Sequence, residues 1–238
     1  MSAYPVRRTY KRKYSGPYPK RPAPSRWSTY GAAGMQLARD VMYLKTLINS
    51  EPHNHYVGAS NNYNWDGAIV SLSAVPQGDT NNARTGNRVL PRYLNVKWQV
   101  VSGTGNNMMR VMLFRYWGEA TSAAPGVTVA EVLRIVGVER APLSHLNEDN
   151  TGQKGDRNRR IEVLRNELVN VDQIDRRAYT CEWDVEMNGM ATKQKEHIEW
   201  RSNTTEDPVS GGLYMLFIGH SLTNDAYNLE SKLVFYDN

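Results

Sequence analysis

Two hydrophobic periods divide this chain. Leu37, Val41, Leu44 and Ile48 recur at i, i+4, i+7 and i+11, one face of a helix. Gln36, Asp40, Lys45 and Asn49 take the other side, so the spacing predicts a linking helix over 34–50, its pattern clearest at 35–49. Pro52 would end it. Beyond it the period falls to two. Val70, Leu72 and Ala74 alternate with Ile69, Ser71 and Ser73, and Leu94, Val96, Trp98 and Val100 alternate with Asn95, Lys97 and Gln99, the second set reading as a half-buried strand. Met108–Trp117 is apolar on both faces except at Arg110 and Arg115, the signature of a central strand. Ile161–Val171, Ala178–Glu186, His197–Arg201, Leu213–His220 and Leu229–Tyr236 read as further strands. Turn-rich spacers such as Ser102–Asn107 and Asn203–Gly212 separate them. Strands joined by connections of varied length predict an all-β antiparallel sandwich over 51–238.

One helical pattern interrupts the strands. Val129, Val132, Leu133 and Val136 form a stripe, and Thr128 with Glu131 has the spacing of a capping box. Gly137 is placed to close that helix. Residues 139–160 are polar and charged and predict a long loop.

Charge changes the picture most at the start of the chain. Residues 1–39 hold nine cations and no acid: Arg7, Arg8, Lys11, Arg12, Lys13, Lys20, Arg21, Arg26 and Arg39. Tyr10, Tyr14 and Tyr18 are interleaved, and five prolines punctuate the stretch. It has too little aliphatic surface for a core and too many prolines for a helix, so residues 1–33 are expected to form a basic disordered arm. The chain as a whole carries 29 Lys and Arg against 24 Asp and Glu. Without the arm's nine cations the remainder holds 20 against 24, a net of −4. Basicity confined to one block marks an interaction tail. Its cations would neutralise phosphates, and its tyrosines would stack on unpaired bases. If all nine engaged a single strand, log K would fall against log salt with a slope of about −6. The same block suits a nuclear import signal; the plain alternative is a solvated tail. No base-reading element is apparent, so contact with nucleic acid is expected to be non-specific.

Other totals set bounds. No apolar run in the 238 residues approaches the roughly 20 a membrane helix needs, so no membrane insertion is expected. The N-terminus has no apolar segment behind its charges, so no secretory signal is expected. A single cysteine, Cys181, excludes an internal disulfide and fits a reducing compartment; it reads as a small buried strand residue. The sequon at Asn203 is then expected to be idle.

The chemistry-bearing residues form no convergent set. His53 and His55 would share a face if their segment is a strand, a potential metal pair without a visible third ligand. Ser144-His145 belongs to a loop and suggests no triad. Glu148, Asp149, Asn150 and Asp156 offer oxygen ligands for calcium, but their spacing misses the twelve-residue calcium loop, and a solvated loop is the ordinary reading. Gly103-Thr-Gly105 is a turn with no lysine where a phosphate loop needs one. No catalytic residue, metal or cofactor is expected. In Gln77–Asn87, Gly78 and Gly86 suit left-handed turns, and Asp79 with Arg84 would close the loop as an ion pair. That structural role and a subunit contact are both open to Gln77, Gly78, Asp79, Arg84, Gly86 and Asn87.

Several blocks carry a resemblance. Tyr43–Glu51, then Ala74–Thr80 with Arg84-Thr-Gly-Asn87, then Arg110–Arg115 followed by the helix Val129–Val136, resemble capsid proteins of small eukaryotic circular single-stranded DNA viruses. Gln77–Asn87, that helix and Leu213–Leu222 are also similar to the coat protein of satellite tobacco necrosis virus, which encloses RNA. The blocks follow in order across residues 40–238, with 138–160 excepted, and the arm matches in composition only. The resemblance implies an eight-stranded jelly roll of the viral coat type, a sixty-copy T=1 shell with arms facing inward, host import factors as partners, and residence in the virion and host nucleus. Sixty arms of nine charges would offer about 540 cations to a genome. Circular DNA is the expected cargo, with a satellite-type RNA as the alternative. Two rivals come from other classes: a cellular single-strand-binding β-barrel and a secreted trimeric jelly-roll ligand. The missing leader and lone cysteine weigh against the second.

Overall fold

Alternation of apolar and polar positions is realised as nine strands among the described residues of a computed structural model. It describes residues 36, 37, 40, 52–103, 107–117, 127–134, 142–147, 160–171, 178–187, 197–201, 208–220 and 225–237. The chain divides into two units, Met1–Leu47 and Ile48–Asn238. In the first, Gln36, Leu37 and Asp40 are helical; the Gln36 amide donates to Asp40 Oδ1 at 3.1 Å, and Leu37 is exposed. The rest of the predicted linking helix and the whole basic arm lie outside the described residues.

The second unit is a two-sheet sandwich. Its strands are β1 (Pro52–Tyr63), β2 (Ala68–Ser71), β3 (Arg88–Val101), β4 (Asn107–Tyr116), β5 (Ile161–Val171), β6 (Ala178–Glu186), β7 (Ile198–Glu199), β8 (Gly212–Gly219) and β9 (Asp225–Asp237). One sheet runs β1-β9-β3-β6, with the two-residue β7 also pairing to β3; the other runs β2-β8-β4-β5. All pairings are antiparallel. The chain crosses between sheets at nearly every step, and its first and last strands lie side by side. This strand order is that of the eight-stranded jelly roll, the sandwich used by viral coats, lectins and cupins. The expected fold class is therefore the observed one, with β7 as a short addition.

The inward residues explain the stability of the pair. Leu94, Val96, Trp98 and Val100 of β3 meet Met109, Val111 and Leu113 of β4 and Leu213, Met215 and Phe217 of β8 in one buried cluster. Phe217 stacks on Tyr227 with centroids 4.2 Å apart and planes at 8°. Each fully buried side chain of this size contributes about 1.5–3 kcal/mol over the exposed state. Pro91 is tolerated within β3 because the ladder is already broken there. A register shift lies between Pro91 and Tyr93, and β6 pairing starts only at Tyr93.

Element boundaries differ from the sequence reading: β2 stops at Ser71, short of Ala74, and β3 begins at Arg88, six residues before Leu94. β1 was hidden by its polar residues, HNH and SNN, which give no clean period. β9 begins at Asp225, four residues earlier than the apolar run at Leu229 suggests. The helix predicted over Val129–Val136 is a single turn, α1 (Val129–Val132). Its capping box forms, with Thr128 N–H donating to Glu131 Oε2 at 2.7 Å. The turn stops because Leu133 turns extended (φ −117°, ψ 133°) and bridges to Leu146. Arg134 N–H then donates to His145 O, and Asn147 N–H to Val132 O.

Candidate functional site

The loop 75–87 leaves β2's end and enters β3, and its order comes from backbone acceptors. Arg84 N–H donates to Pro76 O at 2.9 Å, Gly78 N–H to Arg84 O at 3.0 Å, and Ala83 N–H to Thr80 O at 2.9 Å. The expected Asp79–Arg84 ion pair is replaced. Arg84 is fully buried and donates to Val75 O at 3.2 Å, Gly86 O at 2.6 Å and Asn87 Oδ1 at 3.3 Å, with its guanidinium 4.5 Å from the centre of the Trp200 ring. Asp79 is exposed. The carboxylate that holds this loop is Asp237, near the end of β9. It accepts from Thr85 N–H, from the Thr85 hydroxyl at 2.6 Å and from Gly86 N–H at 3.4 Å. Burial lowers the Arg84 pKa, and Asp237 opposes that shift. Gln77 donates to Thr85 O at 3.0 Å.

Gly78 and Gly86 are not left-handed, contrary to expectation; among the described glycines, Gly67 and Gly211 are. Gly211 is needed for a second reason, since a Cβ there would lie 2.3 Å from His197 O. Its own carbonyl accepts from Arg115 Nε at 3.1 Å.

Arg110 and Arg115, the two breaks in an otherwise apolar strand, are loop anchors too. Arg110 donates to Asn166 Oδ1 at 2.8 Å, Pro142 O at 3.2 Å and Ser144 O at 2.5 Å. Burial lowers its pKa. Arg115 donates to Gly211 O and to His197 O, both at 3.1 Å. A buried cation among carbonyls fixes loop backbone without needing an acid.

The C-terminal ends of β1, β3, β5 and β8 and the N-terminal ends of β2, β4, β6 and β9 share one end of the sandwich, as the strand registers require. Asp225 is fully buried there and accepts from Gly103 N–H at 3.0 Å and from the Asn107 amide. Asn107 Oδ1 accepts from His220 N–H at 3.2 Å. Burial raises the Asp225 pKa, and the Gly103 and Asn107 donors oppose the rise.

The outer face of the β1-β9-β3-β6 sheet went unread in the sequence. Its residues align in cross-strand rows. Tyr56, Lys232, Asn95 and Asp184 form one; Gly58, Glu230, Lys97 and Glu182 the next; Ser60, Asn228, Gln99 and Thr180 the third. The third row is one relay: Ser60 Oγ donates to Asn228 Oδ1 at 2.7 Å, Asn228 Nδ2 to Gln99 Oε1 at 3.1 Å, and Gln99 Nε2 to Thr180 Oγ1 at 3.2 Å. Asn95 donates to Glu182 at 2.7 Å and Asp184 at 2.8 Å, and Tyr93 donates to Asp184. These bonds hold the Asp184 carboxyl below the usual carboxylate range. Periodicity places such residues outside but is silent on which strands adjoin, so the rows were invisible before the registers were known.

The remaining candidates are placed as follows. Arg7, Arg8, Lys11, Arg12, Lys13, Lys20, Arg21, Arg26, Tyr10, Tyr14 and Tyr18 lie outside the described residues, as do Glu148, Asp149, Asn150 and Asp156. His53 and His55 do share the inward face of β1; His53 stacks on Phe235, with centroids 5.5 Å apart. No group of three metal-ligating side chains forms among the described residues. Cys181 is half-buried, not buried, because it sits on the edge strand β6 beside Glu167 of β5. No helix among the described residues is long and apolar enough to cross a membrane.

The fold is an eight-stranded antiparallel jelly roll. No protein-family model and no curated protein matches the chain. Among solved structures it is similar to a chain of broad bean stain virus determined by cryo-electron microscopy. Identity is 10%, the TM-score is 0.32, and the match covers 77% of this chain and 85% of that one.

Proposed function

We propose that this is a non-enzymatic capsid protein that assembles into a small icosahedral shell and packages a single-stranded genome through its basic arm. The observation that carries this is the pairing of a coat-type jelly roll with segregated charge. All nine cations of residues 1–39 precede the first acid, and the remaining sequence is net acidic. The jelly rolls would tile through their loops and edges without strong mutual charge. The arms would repel one another until a polyanion neutralises them, which couples assembly to cargo. The arrangement of loops fits a tile. Arg84, Arg110, Arg115 and Asp237 fix the backbone of connections at the surface, giving contacts of constant shape. Circular single-stranded DNA is the proposed cargo, T=1 the proposed geometry, and the host nucleus the proposed place of assembly.

Negative-stain microscopy of the purified full chain tests the reading. Sixty subunits of 27.0 kDa at protein packing density give particles about 20 nm across. Uniform particles of that size whose extracted nucleic acid is destroyed by a DNase are expected. RNase-sensitive cargo would move the assignment to a satellite-type RNA coat, and a protein that stays monomeric with any polyanion would end it.

A further inference from the structure

We propose that the outer face of the β1-β9-β3-β6 sheet binds neutral carbohydrate, with one sugar ring seated at Gly58. Three observations converge there. The first is a notch. Gly58 stands in a row whose other members carry the long side chains Glu230, Lys97 and Glu182, and a Cβ on Gly58 would meet nothing within 4 Å. The result is a shallow depression of about 600 Å³ bounded by Ser60, Asn228, Gln99, Lys97 and Glu230.

The second is the relay beside it. Sugar hydroxyls both donate and accept, and they need fixed groups of both kinds. Asn228 and Gln99 each spend one N–H and one acceptor site within the relay, so each keeps one N–H and one lone pair for a ligand. Their orientation is already set, which reduces the side-chain ordering lost on binding. Glu230 adds a carboxylate acceptor, and among the described residues Lys97 pairs with Glu182 at 3.6 Å instead of with it. Outside the notch Tyr56 is 60% exposed, with Lys232 Nζ 5.9 Å from the centre of its ring, so only a ring face turned away from that ammonium could take the C–H face of a sugar.

The third is charge. In the three rows at the notch Lys97 and Lys232 stand with Glu182, Asp184 and Glu230, so acids outnumber cations there, while Arg88 and Arg92 lie farther along the face beside Glu199 and Tyr236. The notch therefore offers a phosphate or sulfate no net attraction, which separates it from the nucleic-acid role proposed for the arm.

The test uses saturation-transfer NMR on the full-length protein with lactose, cellobiose and N,N′-diacetylchitobiose. A heparin-type sulfated oligosaccharide and an oligodeoxythymidine serve as anionic arms. The variants are Gly58→Val, which fills the notch where there is room, and Gln99→Leu, which cuts the relay on an exposed strand position. At least one neutral disaccharide is expected to bind with a Kd of about 1 mM or tighter. Each variant should weaken it by roughly tenfold or more while thermal unfolding and particle formation stay unchanged. Binding of the anionic probes should be the same in all three proteins. The proposal fails if no neutral disaccharide binds, if either folded variant binds it as the parent does, or if only the anionic probes respond to Gly58→Val. Sugar binding and shell assembly are separate readouts, so either can fail alone.

Discussion

The two sheets of the sandwich share one core and differ on their far sides. The β1-β9-β3-β6 sheet is buried on one face and presents ordered polar rows on the other. In the β2-β8-β4-β5 sheet the central strands β4 and β8 are buried on both faces, while β2 and the edge strand β5 are only partly so. Met112, Phe114 and Tyr116 of β4 and Tyr214, Leu216 and Ile218 of β8 form a second apolar cluster with Val132 and Leu133 of α1's turn, and Leu146 packs against it. The lesson concerns the connection between β4 and β5. An apolar outer face needs a cover, and the chain supplies it from residues 127–134 and 142–147. Arg110 clamps that cover to the sheet through Pro142 O and Ser144 O. What reads as a long surface loop is in part a third layer.

The largest way to break this contrast is at the covered face. Phe114→Ala should cost about 3–5 kcal/mol, a loss normally associated with the central core, measurable by chemical denaturation. If the cost is under about 1 kcal/mol, the second cluster is not a packed layer. Arg110→Ala should come next, at about 1–3 kcal/mol, because it removes the donor from the buried carbonyls of Pro142 and Ser144 and the bond to Asn166. Proteolysis between 134 and 147 should accelerate in that variant.

Asp237→Ala should have a smaller effect, about 1–2 kcal/mol, since the loop it holds is partly exposed. Exchange of the Thr85 and Gly86 amides with solvent would report it directly. The outer polar face should respond least. Gln99→Leu is expected to change stability by no more than about 0.5–1 kcal/mol, because its partners remain in water. An equal loss at Gln99 and Phe114 would erase the distinction between the sheets.

A pH series adds a check at the loop end. The folded Asp225 carboxyl titrates above its unfolded value, so the native state holds the proton more tightly. Its contribution is fully present below the unfolded carboxylate pKa and is lost as pH rises through the raised folded pKa. Asp225→Asn should therefore flatten that part of the Tm profile.

Much of this was legible beforehand because buried strands write their period plainly. Leu94 to Val100 alternates, Met108 to Trp117 does not, and both patterns match the faces found. β1 was illegible because an edge strand with a solvated outer face admits Asn, Ser and Gly, which carry no hydrophobic rhythm. α1 was overread because Leu133 and Val136 fit the helical stripe, while pairing with Leu146 is a tertiary fact no local pattern contains. The same holds for Asp237 on the 85–86 loop, a contact across most of the sequence. The loop 77–87 was recognisable as a unit, but its closing bonds were assigned to the nearest acid instead of to backbone carbonyls.

The central claim is that the basic leader grips nucleic acid while the jelly roll folds and tiles without it. Deleting residues 1–33 and comparing the nucleic-acid content of purified assemblies with the intact chain tests it most directly. The account predicts an unchanged unfolding temperature and assemblies that have lost most of their nucleic acid. Undiminished nucleic-acid content, or a jelly roll that no longer folds, would contradict it.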